Sequence, residues 1–380
     1  MSDTSENLCF SVDVLRRIAR KLEIPLISAI MADNAITYGI YERWVADGKA
    51  AGMTYLEEHA DARRHPEWVL PGVQTVIMLG FPVETVEKMA ILDGHTPPAT
   101  QWLRKFPPEM SDAEIPPGFG LVAEYAASGI DYHDVIRRRL RTFQKELKCR
   151  FPEQISRGIV DTAPFLEREF AERAGIGFIG RNRMLIHPKF GSFLFLAAIL
   201  TTETLKNEEN EENRSPILSE MEQIGKRFSG EDSSGEILRR AILPERENDW
   251  RTDFQKMRRA CESCGRCLRN CPTGALTAAG VDARKCLSAL TVESRGPISA
   301  ELADKIGIRV LGCDECQRVC PWNRTFLAQR PRTALELAPI FDLSDVDFRK
   351  MFAHTPFWRT TREGLVRNAE INRKNQERKA

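Results

Sequence analysis

Between Cys261 and Cys320 the chain reads CESCGRCLRNCPTGAL, then a lone Cys286, then CDECQRVCPWN, and this stretch holds eight of the ten cysteines. Its first half has the spacing C-x2-C-x2-C-x3-C-P, which wraps thiolates around a 4Fe–4S cubane; in two-cluster domains the fourth cysteine of a run ligates the other cluster. By that rule Cys261, Cys264, Cys267 and Cys320 hold one cluster, and Cys271, Cys286, Cys313 and Cys316 the second. Two intervening residues let consecutive thiolates turn inward on one small loop. Proline after the last ligand removes a donor and stiffens the exit, and Gly265, Gly274 and Gly312 leave room for close passage of the backbone. Zinc sites show separated C-x2-C pairs without the closing proline. A disulfide framework needs an oxidising compartment, which nothing in the sequence suggests.

The elements that must position these thiols come before and after them. At 380 residues the chain is long enough for two or three domains. A hydrophobic content of 42%, a charged content of 29% and a formal charge of +1 are those of a soluble protein with no global pull on nucleic acid or anionic lipid. No signal-peptide core and no long apolar run are found, so the sequence predicts a cytoplasmic protein with no membrane contact.

Apolar spacing predicts a helix over 10–22 and another around Tyr41 to Gly48. TVIMLGFPV (Thr75 to Val83) reads as a buried strand. Residues 84–120, rich in proline and glycine, read as a long irregular excursion of the lid or rim kind. Asp131 to Arg150 reads as a helix with a basic face (Arg137, Arg138, Arg139, Arg141, Lys145, Lys148), for which a solvated face is favoured over a nucleic-acid contact. RGIVDT (Arg157 to Thr162) is a second buried strand, PFLEREFAERAG (Pro164 to Gly175) a helix, and MLIHP and SFLFLAAILT two further strands. These alternate as an α/β sandwich enclosing one sheet. The expected domains are an α/β unit over 1–202, an acidic insertion or linker over 203–250, a two-cluster unit over 251–325 and a C-terminal extension over 326–380, helical with a basic tail. Asp161, at the end of its strand, either projects into a cleft or caps the following helix. Asp131, Tyr132 and His133 form a second polar cluster, of structural or of contact role.

With these pieces in order the chain resembles the epoxyqueuosine reductase family, cobalamin-dependent iron–sulfur enzymes related to reductive dehalogenases. The stretches that carry the resemblance are RRHPEWVLPG, YAASGIDYHDVIR, VDTAPFLEREFAERAGIGFIGRN, KFGSFLFLAAILT, VDARKCLSALTVESRG and GCDECQRVCPWN. The resemblance implies an α+β protein, with a nitroreductase-like α/β domain that cradles base-off cobalamin followed by a ferredoxin-like domain with two 4Fe–4S clusters. It implies reduction of epoxyqueuosine to queuosine at the wobble position of tRNA, with low-potential electrons passing through the clusters to cobalamin and a ferredoxin or flavodoxin as donor. It makes Asp161, in the VDT motif, the proton donor, with a pKa raised in an apolar, cofactor-covered site. It implies cobalamin contacts at Arg63, Asp161, Leu185, Leu196 and Ser288, with Thr291 near them. Leu185 and Leu196 read equally well as core residues, and His133 is not a lower cobalt ligand.

The sequence departs from the family in two ways. It stops before the helical-repeat domain that many members use to grip tRNA, and its acidic 203–249 stretch is longer than the usual connection. The remaining expected tools for tRNA are the basic helix, Arg295, and the tail with Arg359, Arg362, Arg367, Arg373 and Lys374. The competing readings are a cobalamin-dependent reductase of a small molecule and a bare electron carrier, the latter at odds with the length of chain upstream of the thiols. The expected oligomeric state is a monomer.

Overall fold

A strand apolar at every position must be covered on both faces, and β2 (Thr75–Pro82) is buried at all eight of its residues. The computed structural model of the chain describes residues 10–95, 97–206 and 250–378, so Cys9 and nearly all of the expected acidic insertion lie outside the described residues. β2 is central in a four-stranded antiparallel sheet of order β1-β2-β8-β5, with β1 at Leu26–Met31, β5 at Ser156–Ile159 and β8 at Leu194–Thr201. On one face Ile77, Leu79 and Phe81 meet Leu15 and Ile18 of α1 (Val12–Lys21), Val86 and Met89 of α3 (Val83–Leu92), and Leu140 and Phe143 of α4 (Tyr132–Arg150). On the other, Val76 and Met78 meet Phe170 and Ala171 of α5 (Glu167–Arg173) and Tyr38 of α2 (Tyr38–Ala46). Each fully buried aliphatic or aromatic side chain here contributes about 1.5–3 kcal/mol, so the sandwich expected from the alternation is amply driven.

Two local expectations change. The strand expected through Thr162 stops at Ile159, because Asp161 takes φ +51°, a left-handed conformation that cannot continue a strand. The helix expected from Pro164 begins at Glu167, after three residues that carry the chain away from the sheet edge.

The excursion over 84–120 is not an irregular lid. After α3 it supplies β3 (Leu103–Phe106) and β4 (Phe119–Val122) to a second sheet of order β11-β4-β12-β3. Its partners come from far along the chain: β11 (Arg309–Leu311) immediately precedes Cys313, and β12 (Arg332–Glu336) lies in the segment expected to be only helical. That segment also supplies α8 (Asp345–Phe352) and α9 (Arg362–Glu377). The thiol-bearing segment itself opens with α6 (Trp250–Cys264), followed by the short strands β9 (Leu276–Thr277) and β10 (Gly280–Val281) and by α7 (Leu287–Val292). No helix among the described residues is long and apolar enough to cross a membrane.

The buried polar face of α9 explains how the last segment is held. Asn368 and Asn372 are fully buried and Asn375 nearly so. The Asn368 amide donates to the carbonyls of Thr291 and Val310 (2.8 and 2.9 Å), Asn372 to Ile308, and Asn375 to Ala303 and Gly307. Spaced at i, i+4 and i+7, these amides tie α9 to carbonyls of α7, of β11 and of the segment just before β11.

Candidate functional site

The cysteine spacing becomes two groups of thiols. Cys320 lies within electrostatic reach of Cys261, Cys267 and Cys264, and Cys316 within reach of Cys313 and Cys286. Cys271 stands beside Thr273 at the start of the β9 turn. Cys316 also feels Cys267, so the two groups adjoin. Burial pushes the Cys313 thiol up to about 12 and Cys320 up to about 11. Burial also acts on Cys271, but the backbone N–H groups of Leu276, Thr273 and Ala275 outweigh it and hold that thiol below its usual value. Among the described residues no group of three or more His, Cys, Asp or Glu is placed to hold a single metal ion. A cubane does not ask for that, because each of its four thiolates binds a different iron. Coordination to iron removes the thiol protons that burial retains. The donor set, four soft thiols to each group, fits two such clusters.

Two of the contacts that fasten the thiol segment to the first domain are buried. Asn323, of the CPWN motif, is fully buried. Its Oδ1 accepts from the Ser192 N–H (2.7 Å), and its amide donates to Ser192 Oγ and the Gln317 carbonyl. A Cβ on the adjacent Gly191 would stand 2.0 Å from Asn323 Oδ1, so only glycine permits this approach. The second fastening is Glu172 on α5, buried at 4% exposure, which accepts from the Ile179 N–H and from Arg258 of α6. Glu169, one turn earlier, accepts from the N–H groups of Ile36 and Thr37 at the start of α2. Sequence reasoning missed both glutamates. Their signal was two carboxylates on the face of a helix that also carries Phe170 and Ala171.

Asp161 stands at the other end of this joint. Its carboxylate is exposed and caps no helix; Oδ2 accepts from the Tyr132 hydroxyl at 2.5 Å. Tyr132 is wedged between Phe195 of β8 (4.0 Å between ring centres) and His133 (4.1 Å). Burial, and then the Asp161 charge, push its hydroxyl far up, so it keeps its proton and acts as donor. Asp131 caps α4, accepting from the His133 N–H and pairing with its Nδ1 at 2.8 Å. The Asp-Tyr-His cluster thus holds Tyr132 against Asp161. Glu167 also senses Asp161: burial, with that charge added, pushes its carboxyl up to about 8.

Tyr125 lies against the chain that enters Cys313. Its hydroxyl lies within electrostatic reach of both Asp161 and Asp314, the residue after Cys313. A Cβ on Gly312 would fall 3.1 Å from the Tyr125 ring and 2.5 Å from Ala123, so the chain entering Cys313 runs directly against β4's exit. Asp314 fixes this contact by accepting from the Glu124 N–H at 2.6 Å.

The other expected contacts divide. Arg63 is 8% exposed, donates to the His59 carbonyl and lies over the Tyr41 ring, within reach of Glu167. Leu185, in β7 (Leu185–Ile186), is 3% exposed in the core, whereas Leu196 of β8 is only partly buried at its edge. Ser288 is part-exposed on α7. Thr291 is fully buried and does not face a cleft; its hydroxyl donates to Leu287 and accepts from the Gly312 N–H.

The basic residues expected to serve tRNA are largely engaged. Arg359 pairs with Glu293 and Tyr55, Arg362 with Asp345, Arg373 with Glu377 and the Phe341 ring, and Arg295 and Arg367 donate to backbone carbonyls. Arg139 and Arg138 are drawn to Asp93. A hollow of about 600 Å³ beside the start of α4 is lined by Arg137, Arg138, Arg141, Lys350 and His354 together with Asp131 and Asp134.

Comparison with known proteins bears on the same stretches. The family described as "Epoxyqueuosine reductase QueG, DUF1730" matches residues 63–162, and that described as "4Fe-4S double cluster binding domain" matches residues 260–323. The epoxyqueuosine reductase of Pseudomonas aeruginosa is 31% identical over 339 residues, 87% of this chain and 76% of that protein. The fold is that of solved epoxyqueuosine reductases, a mixed α+β fold. The Streptococcus thermophilus structure superposes with a TM-score of 0.67 at 23% identity, over 96% of this chain and 81% of that one. A structure of an epoxyqueuosine reductase with an epoxyqueuosine-modified tRNA-Tyr stem loop gives 0.67 at 24% identity over the same shares. Double thiol groups, a Tyr-held aspartate beside them and this likeness over most of both chains lead to one conclusion: the chain belongs to the epoxyqueuosine reductase family.

Proposed function

We propose that this protein reduces epoxyqueuosine in tRNA to queuosine, with Asp161 as proton donor and with electrons delivered through two 4Fe–4S clusters to cobalamin held between Asp161 and the thiol segment. The reaction breaks the epoxide C–O bonds, forms a C=C bond and releases the oxygen as water, and it consumes two electrons and two protons. Bound cobalamin would supply a strongly reducing, nucleophilic metal. The residues supply the rest. Asp161 presents an exposed carboxyl to the leaving oxygen, and Tyr132 fixes its orientation by donating to Oδ2. Glu167, with a carboxyl that carries a proton near neutral pH, can reload that acid. Leu196 and Ser288 would face the corrin, while Arg63 and Leu185 would support that wall from behind.

The observation that carries this reading is the setting of Asp161, exposed and held by one tyrosine, in a chain whose thiols form adjoining groups. It supports an acid presented to a bound redox group. The RNA backbone would lie along the cationic hollow beside α4, one residue from Tyr132.

The test is turnover of an epoxyqueuosine-modified stem loop by cluster- and cobalamin-loaded protein, read by mass analysis of the base. Conversion to queuosine is expected. Asp161→Asn should lower kcat by about 10²–10⁴-fold while iron and cobalt contents stay unchanged. Full activity in that variant would remove Asp161 from its role, and absence of corrin absorbance in the loaded wild type would remove cobalamin.

A further inference from the structure

Five arginines surround the first cysteine loop and form no ion pair among the described residues. A Cβ on Gly265, between Cys264 and Cys267, would meet Arg269 Nη1 at 2.9 Å and Arg181 Nη1 at 3.4 Å, so both guanidinium groups lie directly over this loop. Arg181 donates to the Glu262 carbonyl, Arg269 to the Cys264 carbonyl, Arg183 to the Ala278 carbonyl and Arg168 to the Arg183 carbonyl. Each is anchored by backbone oxygens, which leave its charge uncompensated. Arg266 adds a fifth cation on the same loop, exposed like Arg168 and Arg269. Glu262 is the exposed carboxylate within the patch. Arg183 shows the crowding: burial first, then Arg168 and Arg181, hold its guanidinium below the usual value. By contrast Arg258 is mated to Glu172 and Arg330 to Glu87.

The patch is centred on the first cysteine loop. Arg181 and Arg269 lie over Gly265 between Cys264 and Cys267, and the Arg181 N–H donates to Cys261 Sγ. Cations therefore stand beside Cys261, Cys264 and Cys267.

We propose that Arg168, Arg181, Arg183, Arg266 and Arg269 form the docking surface for an acidic one-electron carrier protein, which reduces the cluster of Cys261, Cys264, Cys267 and Cys320 first. The proposal rests on the reading that these thiols hold clusters. Each encounter oxidises the reduced carrier by one electron and reduces that cluster by one. Two encounters supply the pair that one epoxide consumes. Dense like charge in the free protein is offset when an acidic partner covers it, and steering by such a field accelerates association at low salt.

The experiment uses cluster-loaded protein and a flavodoxin as the acidic probe. Calorimetric titration at low ionic strength gives its Kd, and stopped-flow mixing with its hydroquinone gives the rate of cluster reduction. The double variant Arg168→Glu/Arg269→Glu should weaken binding and slow reduction by about tenfold or more, with a flattened salt dependence. Reduction by the small cation methyl viologen radical and the cluster potentials should not change. Arg17→Glu/Arg20→Glu, on exposed positions of α1, makes the same change in net charge and should leave flavodoxin binding as it was. Wild-type binding and rates in the Arg168/Arg269 variant would overturn the proposal. So would an equal loss with methyl viologen accompanied by shifted potentials, which would make the arginines tuners of the cluster. If wild type fails to convert epoxyqueuosine yet loses flavodoxin binding through these substitutions, the docking surface stands and the substrate assignment falls.

Discussion

The thiol segment and the setting of Asp161 are built by opposite means. Three of the four ligands of the first group lie within seven consecutive residues, from Cys261 to Cys267, and a short loop can turn them inward whatever the rest of the chain does. The carboxylate of Asp161 acquires its setting from Tyr132, 29 residues away on α4, which is itself stacked on Phe195 of β8. A local device tolerates a loose scaffold. A cleft assembled at long range has only the geometry that the scaffold gives it.

That contrast is broken most severely by Cys316→Ser. The second group loses a thiolate, and its cluster should fail to assemble. Turnover should disappear, and iron analysis should fall from about eight to about four atoms per chain, as expected when one of two cubanes is lost. Retention of both clusters would show that the second group is held by more than its thiols. Asp161→Asn is the opposite case, since it should stop chemistry with the iron content intact.

The same contrast decides what the sequence revealed. Cysteine spacing announced the two-cluster segment because ligand geometry is encoded within a few residues. The apolar run of β2 announced the first sheet because burial on both faces leaves no polar position. The second sheet was illegible. β3 and β4 are four residues each, they sit among prolines, and they are completed by β12 more than two hundred residues later. Short strands gain their stability from partners, and no window along the chain contains those partners. The tail failed for a related reason. RNAEINRKNQ reads as polar and solvated, but Asn368, Asn372 and Asn375 bury their amides against carbonyls of other segments. A strand-end aspartate such as Asp161 has several uses, and its bond to Tyr132, from 29 residues away, could not be read from the local sequence.

A smaller perturbation sharpens the comparison at the joint itself. Asn323→Ala keeps every cysteine and every active-site side chain but orphans the buried Ser192 N–H. Leaving that group unsatisfied should cost about 1–3 kcal/mol in chemical unfolding. If the cleft depends on the scaffold and the clusters do not, turnover should fall more than iron content does. Equal losses in both would mean that the thiol segment, too, needs the joint to fold.

The smallest effect tests the scaffold side alone. His187 follows β7, and its Nδ1 accepts from the N–H groups of Lys189 and Phe190 at 3.1 and 3.3 Å, closing the turn that delivers Gly191 and Ser192 to Asn323. Accepting at Nδ1 requires a neutral ring, and burial, with Lys189 adding, pushes its pKa from 6.5 down to about 4. Between those values the unfolded chain binds more protons than the folded one, so this contribution to stability is fully present above pH 6.5 and is lost as pH falls through about 4. Because the ring is partly open to water, about 1 kcal/mol is the expected size. Asn at this position can accept the same two N–H groups through its side-chain oxygen without titrating. Urea unfolding at neutral pH and at pH 4.5 should therefore show His187→Asn losing about 1 kcal/mol less than wild type on acidification. Acid effects on the clusters are common to both proteins and drop out of the difference. An identical loss in both would mean that the turn is held by Gly191 and Asn323, with the histidine only filling space.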